Sequence, residues 1–159
     1  MTESFDVLLQ IEQIRQLKYR YFRAIDTHDW VLLATCLAQE VTTQLDSGTY
    51  VFDGRDAFIA GLKQLMDRPT LLSRHHGHHP EIELIAPDRA CGMWYLEDQV
   101  INLDDDWMVQ GTALYQDEYI KRDGAWLILS TGYRRVLDTL TTPIPPAMRV
   151  VKSWFGVPA

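Results

Sequence analysis

The sequence has 159 residues, of which 47% are hydrophobic and 23% charged, and its formal net charge at pH 7 is −7. This size and composition predict a single globular domain, residues 1–159, with a substantial buried core. The acidic balance and the lack of a basic stripe argue against a nucleic-acid partner, and no apolar run reaches the roughly 18 residues of a membrane span.

The ends of the chain and its cysteines bear on localisation. The amino terminus lacks the basic region and the unbroken apolar run of a secretory signal. The two cysteines, Cys36 and Cys91, stand far apart and are typical of buried thiols in a reducing compartment. We therefore expect a cytoplasmic protein that neither binds nor crosses a membrane.

The first part of the chain has the periodicity of helices. Apolar residues recur at spacings of three and four from Ile11 to Ile25, which predicts an amphipathic helix. A second helix is predicted in WVLLATCLA, with Asp29 as its N-cap. A third is predicted in DGRDAFIAGLKQLM, beginning near Asp53 or Arg55 and ended by Arg68-Pro69.

After Pro69 the pattern becomes that of strands. Four long segments are rich in β-branched and aromatic residues: RHHGHHPEIELIA, RACGMWYLEDQVINL, WMVQGTALYQDEYIKR and AWLILSTGYRRVL. The runs DDD (104–106) and RDG (122–124) predict hairpin turns, and a shorter strand pair flanks 46–48. Helices followed by a meander predict an α+β domain. The mixed alternation of the strands predicts that a partner subunit covers the second face of the sheet.

Four of the five histidines lie in the segment SRHHGHHPEIEL: His75, His76, His78 and His79. Residues i and i+2 of a strand share a face, so His76 and His78 could hold one metal ion. Zinc requires a third protein ligand, and none is visible at a recognised spacing, so we predict no metal site. His76, His78 and His79 are then most simply polar residues of a solvated strand or bulge.

His75 would differ from its neighbours if a carboxylate bound its far ring nitrogen, which would fix the tautomer and make it a better base. Asp26 is the best candidate, because it borders the apolar face on which Tyr21 is central and lies near a helix C-terminus. The helix dipole disfavours a negative charge there, so capping does not explain it. The sequence leaves open the alternative that Asp26 is an ordinary loop acid beside the N-cap Asp29.

Five segments, in this order and spacing, resemble the SnoaL-like branch of the nuclear-transport-factor-2-like (NTF2-like) superfamily: YFRAIDTHDW, RHHGHHPEI, GMWYLEDQVI, YQDEYIKRDGAW and STGYRRV. Within that branch they are most similar to the bacterial bile-acid 7α-dehydratases. Scytalone dehydratases and hexachlorocyclohexane dehydrochlorinases are more distant relatives. The resemblance extends from about Ile11 to Asp138. WYLED and TGYxR are its most specific parts, whereas RDGxW discriminates little.

The resemblance implies a cystatin-like cone, in which a curved, mostly antiparallel sheet wraps around the N-terminal helices and a deep apolar cavity. It also implies a homotrimer and an active site without a cofactor. The family's catalytic histidine–aspartate pair falls on His75 and Asp26, and a catalytic tyrosine falls on Tyr21. Its substrate-binding tyrosine and arginine fall on Tyr115 and Arg135.

One position departs from the pattern. The bile-acid and scytalone dehydratases have a tyrosine near the end of the first short strand, where this chain has Leu45. Leu45 is therefore the third predicted substrate-binding residue. Leucine can neither orient nor protonate a leaving hydroxyl. Scytalone dehydratase also has Ser and Asn where this chain has Ala113 and Tyr115, which disfavours a small polyhydroxylated aromatic substrate.

The resemblance therefore predicts a hydro-lyase that removes water from a steroid-like or other bulky apolar carbonyl compound, either free or as a coenzyme A thioester. The same His–Asp pair would also serve an isomerase or a dehydrochlorinase. A small-molecule-binding protein without catalysis is a further alternative, because a fold does not fix a function. The tail, residues 139–159, is predicted to dock as a lid or as a contact with a neighbouring subunit.

Overall fold

Three helices and a six-stranded sheet make up the structure. The computed structural model describes residues 2–156, with side chains from residue 5 onward. The elements are α1 (Thr2–Asp26), α2 (Trp30–Cys36), β1 (Leu37–Leu45), β2 (Tyr50–Asp53), α3 (Arg55–Met66), β3 (Leu71–Ala86), β4 (Arg89–Asn102), β5 (Trp107–Arg122) and β6 (Ala125–Thr141), with a single 3-10 turn, Asp46–Gly48, between β1 and β2.

The helix boundaries follow local chemistry. The predicted N-cap of α2 is confirmed, because an Asp29 carboxylate oxygen accepts a hydrogen bond of 2.9 Å from the backbone N–H of Leu32. Helix α2 ends at Cys36, two residues earlier than predicted, because Leu37 already has extended backbone angles and begins β1. Helix α3 begins after Gly54, whose φ of 89° favours glycine.

The strands form one sheet in the order β2-β1-β6-β5-β4-β3. All neighbouring pairs are antiparallel except β1 and β6, which are parallel. The two long hairpins turn where the sequence predicted, after Asn102 and after Arg122. The predicted α+β class, with N-terminal helices on a curved and mostly antiparallel sheet, is therefore confirmed.

One face of the sheet packs on the helices, and we call it the inner face. Along β5 the residues alternate: Ala113, Tyr115 and Asp117 are buried, whereas Leu114 and Gln116 between them are exposed. The outer face is thus open in the single chain. Its coverage by a partner subunit, as in the homotrimer that the resemblance implies, stays a prediction.

A glycine in β3 allows α1 to approach the sheet closely. A Cβ atom built on Gly77 would lie 2.5 Å from the ring of Phe22 and 3.2 Å from that of Trp94. Real Cβ atoms essentially never make a contact as short as 2.5 Å, so any larger residue would push Phe22 and its helix away from the strand. Gly77 therefore sets the distance at which the end of α1 meets β3.

The carboxy-terminal segment docks against its own subunit. Strand β6 continues to Thr141, so the first three residues of the predicted tail belong to the sheet. The Phe155 ring lies 4.3 Å from that of His28, which in turn stacks on Trp30 at 5.4 Å. Within residues 2–156, no helix has the length and apolar character to cross a membrane.

Candidate active site

The end of α1 and the first half of β3 bring Asp26 and His75 together. The Nδ1 atom of His75 lies 2.6 Å from one Asp26 carboxylate oxygen. The other oxygen accepts a hydrogen bond of 2.9 Å from the His75 backbone N–H. Because β3 is an edge strand, this N–H has no strand partner, and the carboxylate satisfies it. The Ser73 hydroxyl donates a third hydrogen bond, of 2.8 Å, to Asp26.

These hydrogen bonds determine the charge state of Asp26. Burial alone would raise the pKa of its carboxyl group, but the hydrogen bonds and charge of His75, with help from Ser73, outweigh burial and hold the pKa below its ordinary value. The ionised carboxylate keeps the proton of His75 on Nδ1 and leaves Nε2 as the free, basic nitrogen. Among the described residues, no group forms a hydrogen bond with that Nε2.

The dyad lies at the border between core and solvent. The side chain of His75 is 12% exposed and that of Asp26 is 22% exposed, so both groups keep some contact with solvent. The Phe22 ring stacks on the imidazole with an interplanar angle of 4° and a centroid distance of 5.9 Å. The ring and the carboxylate together fix the orientation of the imidazole.

The two predicted tyrosines lie deeper on the same side of the sheet. Tyr21 is fully buried, and its hydroxyl has no hydrogen-bond partner within the part of the chain that the structure describes. The ring of Tyr115 contacts Tyr21 edge-on at 6.5 Å and lies 5.1 Å from Tyr133. Burial raises the pKa of both Tyr21 and Tyr115, so each hydroxyl stays protonated and can donate a hydrogen bond.

Leu45 and Arg135 have different surroundings. Leu45 is only 8% exposed and belongs to the hydrophobic core. The Arg135 guanidinium binds both carboxylate oxygens of Asp98, at 2.6 and 2.9 Å, and lies 3.3 Å from Asp138. It reaches Asp98 across β5 over Gly111, where a Cβ atom would lie 2.9 Å from the guanidinium. The cation predicted to bind substrate is thus already bidentately paired.

The Arg135–Asp98 pair nevertheless lies close to the dyad. Asp98 of β4 is the register partner of His75 in β3, and both side chains are on the inner face. The alternation of Trp94, Leu96 and Asp98 with exposed residues indicates that Asp98 lies on the inner face of β4. Asp98 is not among the predicted site residues, because its place opposite His75 depends on the β3–β4 register.

Sequence reasoning also missed a buried ion pair below the tyrosines. The Lys18 ammonium lies 2.8 Å from Asp117, and both side chains are inaccessible to solvent. Asp117 also accepts hydrogen bonds from Tyr119 (2.8 Å) and Thr131 (2.6 Å). The ammonium sits 3.6 Å from the centre of the Tyr115 ring. Burial lowers the pKa of Lys18, against the opposing effect of Asp117.

Two hollows are relevant to access. A pocket of about 220 Å³ is lined by Asp26 and Ser73 and by Trp154 and Phe155 of the tail, but not by His75. A larger groove of about 1020 Å³ crosses five strands and is lined by outer-face side chains such as Gln116. The larger groove does not include the dyad. Tyr21 and Tyr115 belong to the buried core cluster and line neither hollow, so within the described residues the deep apolar cavity that the resemblance implies is not found around them.

The structure thus brings together Asp26, His75 and, one layer deeper, Tyr21 and Tyr115. Their arrangement is that of an α+β cone in which the end of α1 and the edge strand β3 hold a histidine–aspartate dyad. The family model described as the SnoaL-like domain matches residues 6–131, so the chain belongs to the SnoaL-like domain family.

Solved structures with this fold include enzymes. One is hexachlorocyclohexane dehydrochlorinase LinA-type3 from Novosphingobium barchaimii LL02, with a TM-score of 0.78 and 18% identity over 89% of this chain and 96% of that one. Another is a putative scytalone dehydratase from Novosphingobium aromaticivorans DSM 12444, with a TM-score of 0.77 and 17% identity over 94% and 100%. A Mycobacterium tuberculosis protein of unknown function has a TM-score of 0.71 and 24% identity over 83% and 75%. At these identities the likeness shows a common fold.

Proposed function

We propose that the protein is a cofactor-free lyase that dehydrates an apolar hydroxylated carbonyl compound with His75 as the base. The observation that carries this proposal is the 2.6 Å contact between Asp26 and Nδ1 of His75, which leaves Nε2 free. A neutral imidazole oriented in this way can act as a general base, and such a base contributes roughly 10²–10⁴-fold to a rate.

In the proposed reaction, Nε2 of His75 removes a proton from a carbon that a conjugated carbonyl makes acidic. The electrons of that C–H bond form the new C=C bond, and the β-hydroxyl leaves. The imidazolium returns its proton to the departing oxygen, so water is released and the dyad is regenerated. Asp26 stabilises the transient imidazolium without accepting its proton.

The negative charge that develops on the carbonyl oxygen requires a hydrogen-bond donor. The Tyr21 hydroxyl has no partner among the described residues and would serve as this donor, provided that the surrounding core side chains move to admit a substrate oxygen. Tyr115 is its neighbour and would hold the substrate or the enolate oxygen from the same side. Arg135 is paired with Asp98, and it would bind substrate directly only if Asp98 released it.

Leu45 favours a second candidate reaction, dehydrochlorination. Its side chain is apolar and buried where the dehydratases have a tyrosine, and chloride is a leaving group that needs no proton. The structural match to hexachlorocyclohexane dehydrochlorinase LinA-type3 is as good as that to the putative scytalone dehydratase. Both reactions begin with the same proton abstraction by His75, and they differ in what departs.

The room beside the dyad bears on the size of the substrate. The pocket at Asp26 measures about 220 Å³, below the roughly 300–1,000 Å³ of sites for drug-sized ligands. A steroid-like substrate would therefore need the tail around Trp154 and Phe155 to move outward, and any substrate must also reach Nε2 of His75, which does not line this pocket. We propose the steroid-like class from the family resemblance, with displacement of the tail as its requirement.

The test is an ultraviolet assay with a 7-hydroxy-3-oxo-4-ene steroid, free and as a coenzyme A thioester. Loss of water extends the conjugation to a dienone, whose absorbance is shifted to longer wavelength. We expect turnover by the wild type and by the control His79→Ala, and a fall in kcat of roughly 10²–10⁴-fold in His75→Ala.

A parallel assay for chloride release from a chlorinated cyclohexane separates the second candidate. Turnover of neither substrate, together with wild-type ligand affinity in His75→Ala, would contradict an enzymatic function and favour a binding protein. Turnover that survives in His75→Ala would contradict the role of the dyad.

A further inference from the structure

Three potential metal ligands converge on the outer face of the sheet, opposite the dyad. His76 and His78 are two residues apart in β3 and share a face, and Glu97 in β4 is the register partner of His76. The ligand atoms of the three side chains all lie within 4.8 Å of one another. The third ligand that the sequence did not reveal is thus supplied by the neighbouring strand.

The three side chains lie close together but form no hydrogen bonds with one another. The nearest approach of an imidazole nitrogen to the carboxylate is 3.8 Å, between His78 and Glu97, which is longer than a hydrogen bond. The rings of His76 and His78 are 6.0 Å apart. No hydrogen bond of the described residues involves the side chain of any of the three. A space surrounded by two imidazoles and a carboxylate is therefore available to a cation.

The local backbone holds the two histidines in place. A bulge begins directly after His78, where His79 has a φ of 48° and the register shifts before Glu81. His76 and His78 lie in the regular part of the strand before that bulge, so both project to the outer face. The side chains of His78 and Glu97 are 43% and 59% exposed, which gives an ion direct access from solvent.

We propose that His76, His78 and Glu97 form a binding site for a late first-row divalent transition-metal ion, with Zn²⁺ as the representative. Two imidazoles and one carboxylate suit zinc, nickel or copper, whereas magnesium and calcium prefer oxygen ligands alone. Zinc bonds of about 2.0–2.1 Å place tetrahedral ligand atoms about 3.3 Å apart. The ligand atoms of the three side chains lie within 4.8 Å of one another, so binding requires the side chains to draw closer around the ion.

The site is separate from the dyad although His76 follows His75 in the chain. Successive side chains of a strand point to opposite faces, and the His75 imidazole bonds to Asp26 on the inner face. The metal site therefore has its own ligands on the other side of β3, and its three protein ligands leave a coordination position for water or another donor.

The test titrates the intact protein with ZnCl₂ by isothermal calorimetry and with CoCl₂ by visible absorption. We expect one ion per chain, and we expect His76→Ala, His78→Ala and Glu97→Gln each to weaken Zn²⁺ binding by at least about tenfold. His79→Ala is the matched control, because it removes an exposed neighbouring histidine outside the ligand set. His75→Ala is the second control, and both controls are expected to keep the wild-type affinity.

Thermal melts without metal verify that each variant folds like the wild type. The proposal is overturned if the wild type binds no Zn²⁺ at micromolar concentration, or if the three ligand variants bind as well as the wild type. An equal loss of binding in His79→Ala or in His75→Ala overturns it too, since the ion would then lie elsewhere in the histidine segment.

Discussion

Replacement of Lys18 by methionine would remove the cation of the buried ion pair while keeping a side chain of similar length. The Asp117 carboxylate would retain its hydrogen bonds from Tyr119 and Thr131 but lose the ammonium 2.8 Å away. Neither partner of the pair is accessible to solvent, so water cannot replace the missing charge. The variant thus leaves one negative charge uncompensated in the core.

The expected loss follows from that geometry. Removing one partner of a buried ion pair costs about 3–5 kcal/mol of the free energy of unfolding. For a chain of this length, about 1 kcal/mol lowers Tm by roughly 2–4 °C, so Lys18→Met should melt about 6–20 °C below the wild type. Adding Asp117→Asn to Lys18→Met removes the orphaned charge. Because the two residues interact directly, the double variant should regain about 1–3 kcal/mol relative to Lys18→Met.

The measurement is urea denaturation followed by circular dichroism, at one fixed chain concentration because oligomerisation changes the apparent stability. Lys63→Met is the matched control, since Lys63 is exposed on α3 and its replacement should change the free energy of unfolding by less than about 0.5 kcal/mol. If Lys18→Met loses less than about 1 kcal/mol, or if Asp117→Asn adds to its loss, the reasoning from a charged, dry pair is refuted.

Three further predictions concern the dyad and its surroundings. The Asp26 pKa is lower in the folded than in the unfolded chain, so its charge stabilises the fold above the unfolded pKa, and this stability is lost as the pH falls through the folded pKa. Urea denaturation at a series of pH values should therefore show that Asp26→Asn loses less stability towards acid pH than the wild type does. Equal losses in the two proteins would contradict this prediction. Gly77→Ala should cost about 1–3 kcal/mol by forcing Phe22 off the strand and away from His75, as thermal melts would show; a wild-type Tm would contradict the close approach. Tyr21→Phe should leave the free energy of unfolding unchanged or raise it by up to about 1 kcal/mol, because it deletes a buried hydroxyl that has no hydrogen-bond partner among the described residues. The same variant should slow the proposed dehydration. A loss of stability would contradict the assignment of this hydroxyl as unpartnered.

Much of the fold could be predicted because it depends on local patterns. The spacing of apolar residues predicted α1, the Asp29 cap predicted the start of α2, and the turn residues predicted both long hairpins. The parallel pairing of β1 with β6 could not be predicted, because it joins segments almost ninety residues apart, such as Thr42 and Ser130. No local pattern encodes such a pairing.

The candidate sites likewise contain residues that the sequence could predict and residues that it could not. Asp26 could be chosen as a partner for His75 from its place on the border of the apolar face, although the residues alone left a loop acid as an alternative. Lys18 could have been found, because it stands three and four residues before Tyr21 and Phe22 and therefore on the apolar arc. Glu97 could not, because the bulge after His78 shifts the β3–β4 register by one residue, and that shift decides which side chain meets His76.

The buried ion pair also constrains the order of events when the chain folds. Lys18 leaves the ribosome long before its partners, and Thr131, with which it shares the network around Asp117, is 113 residues later in the sequence. Until β5 and β6 exist, packing the inner face of α1 would bury an unpaired ammonium, which is costly. We infer that the inner face of α1 docks only after β5 and β6 have formed.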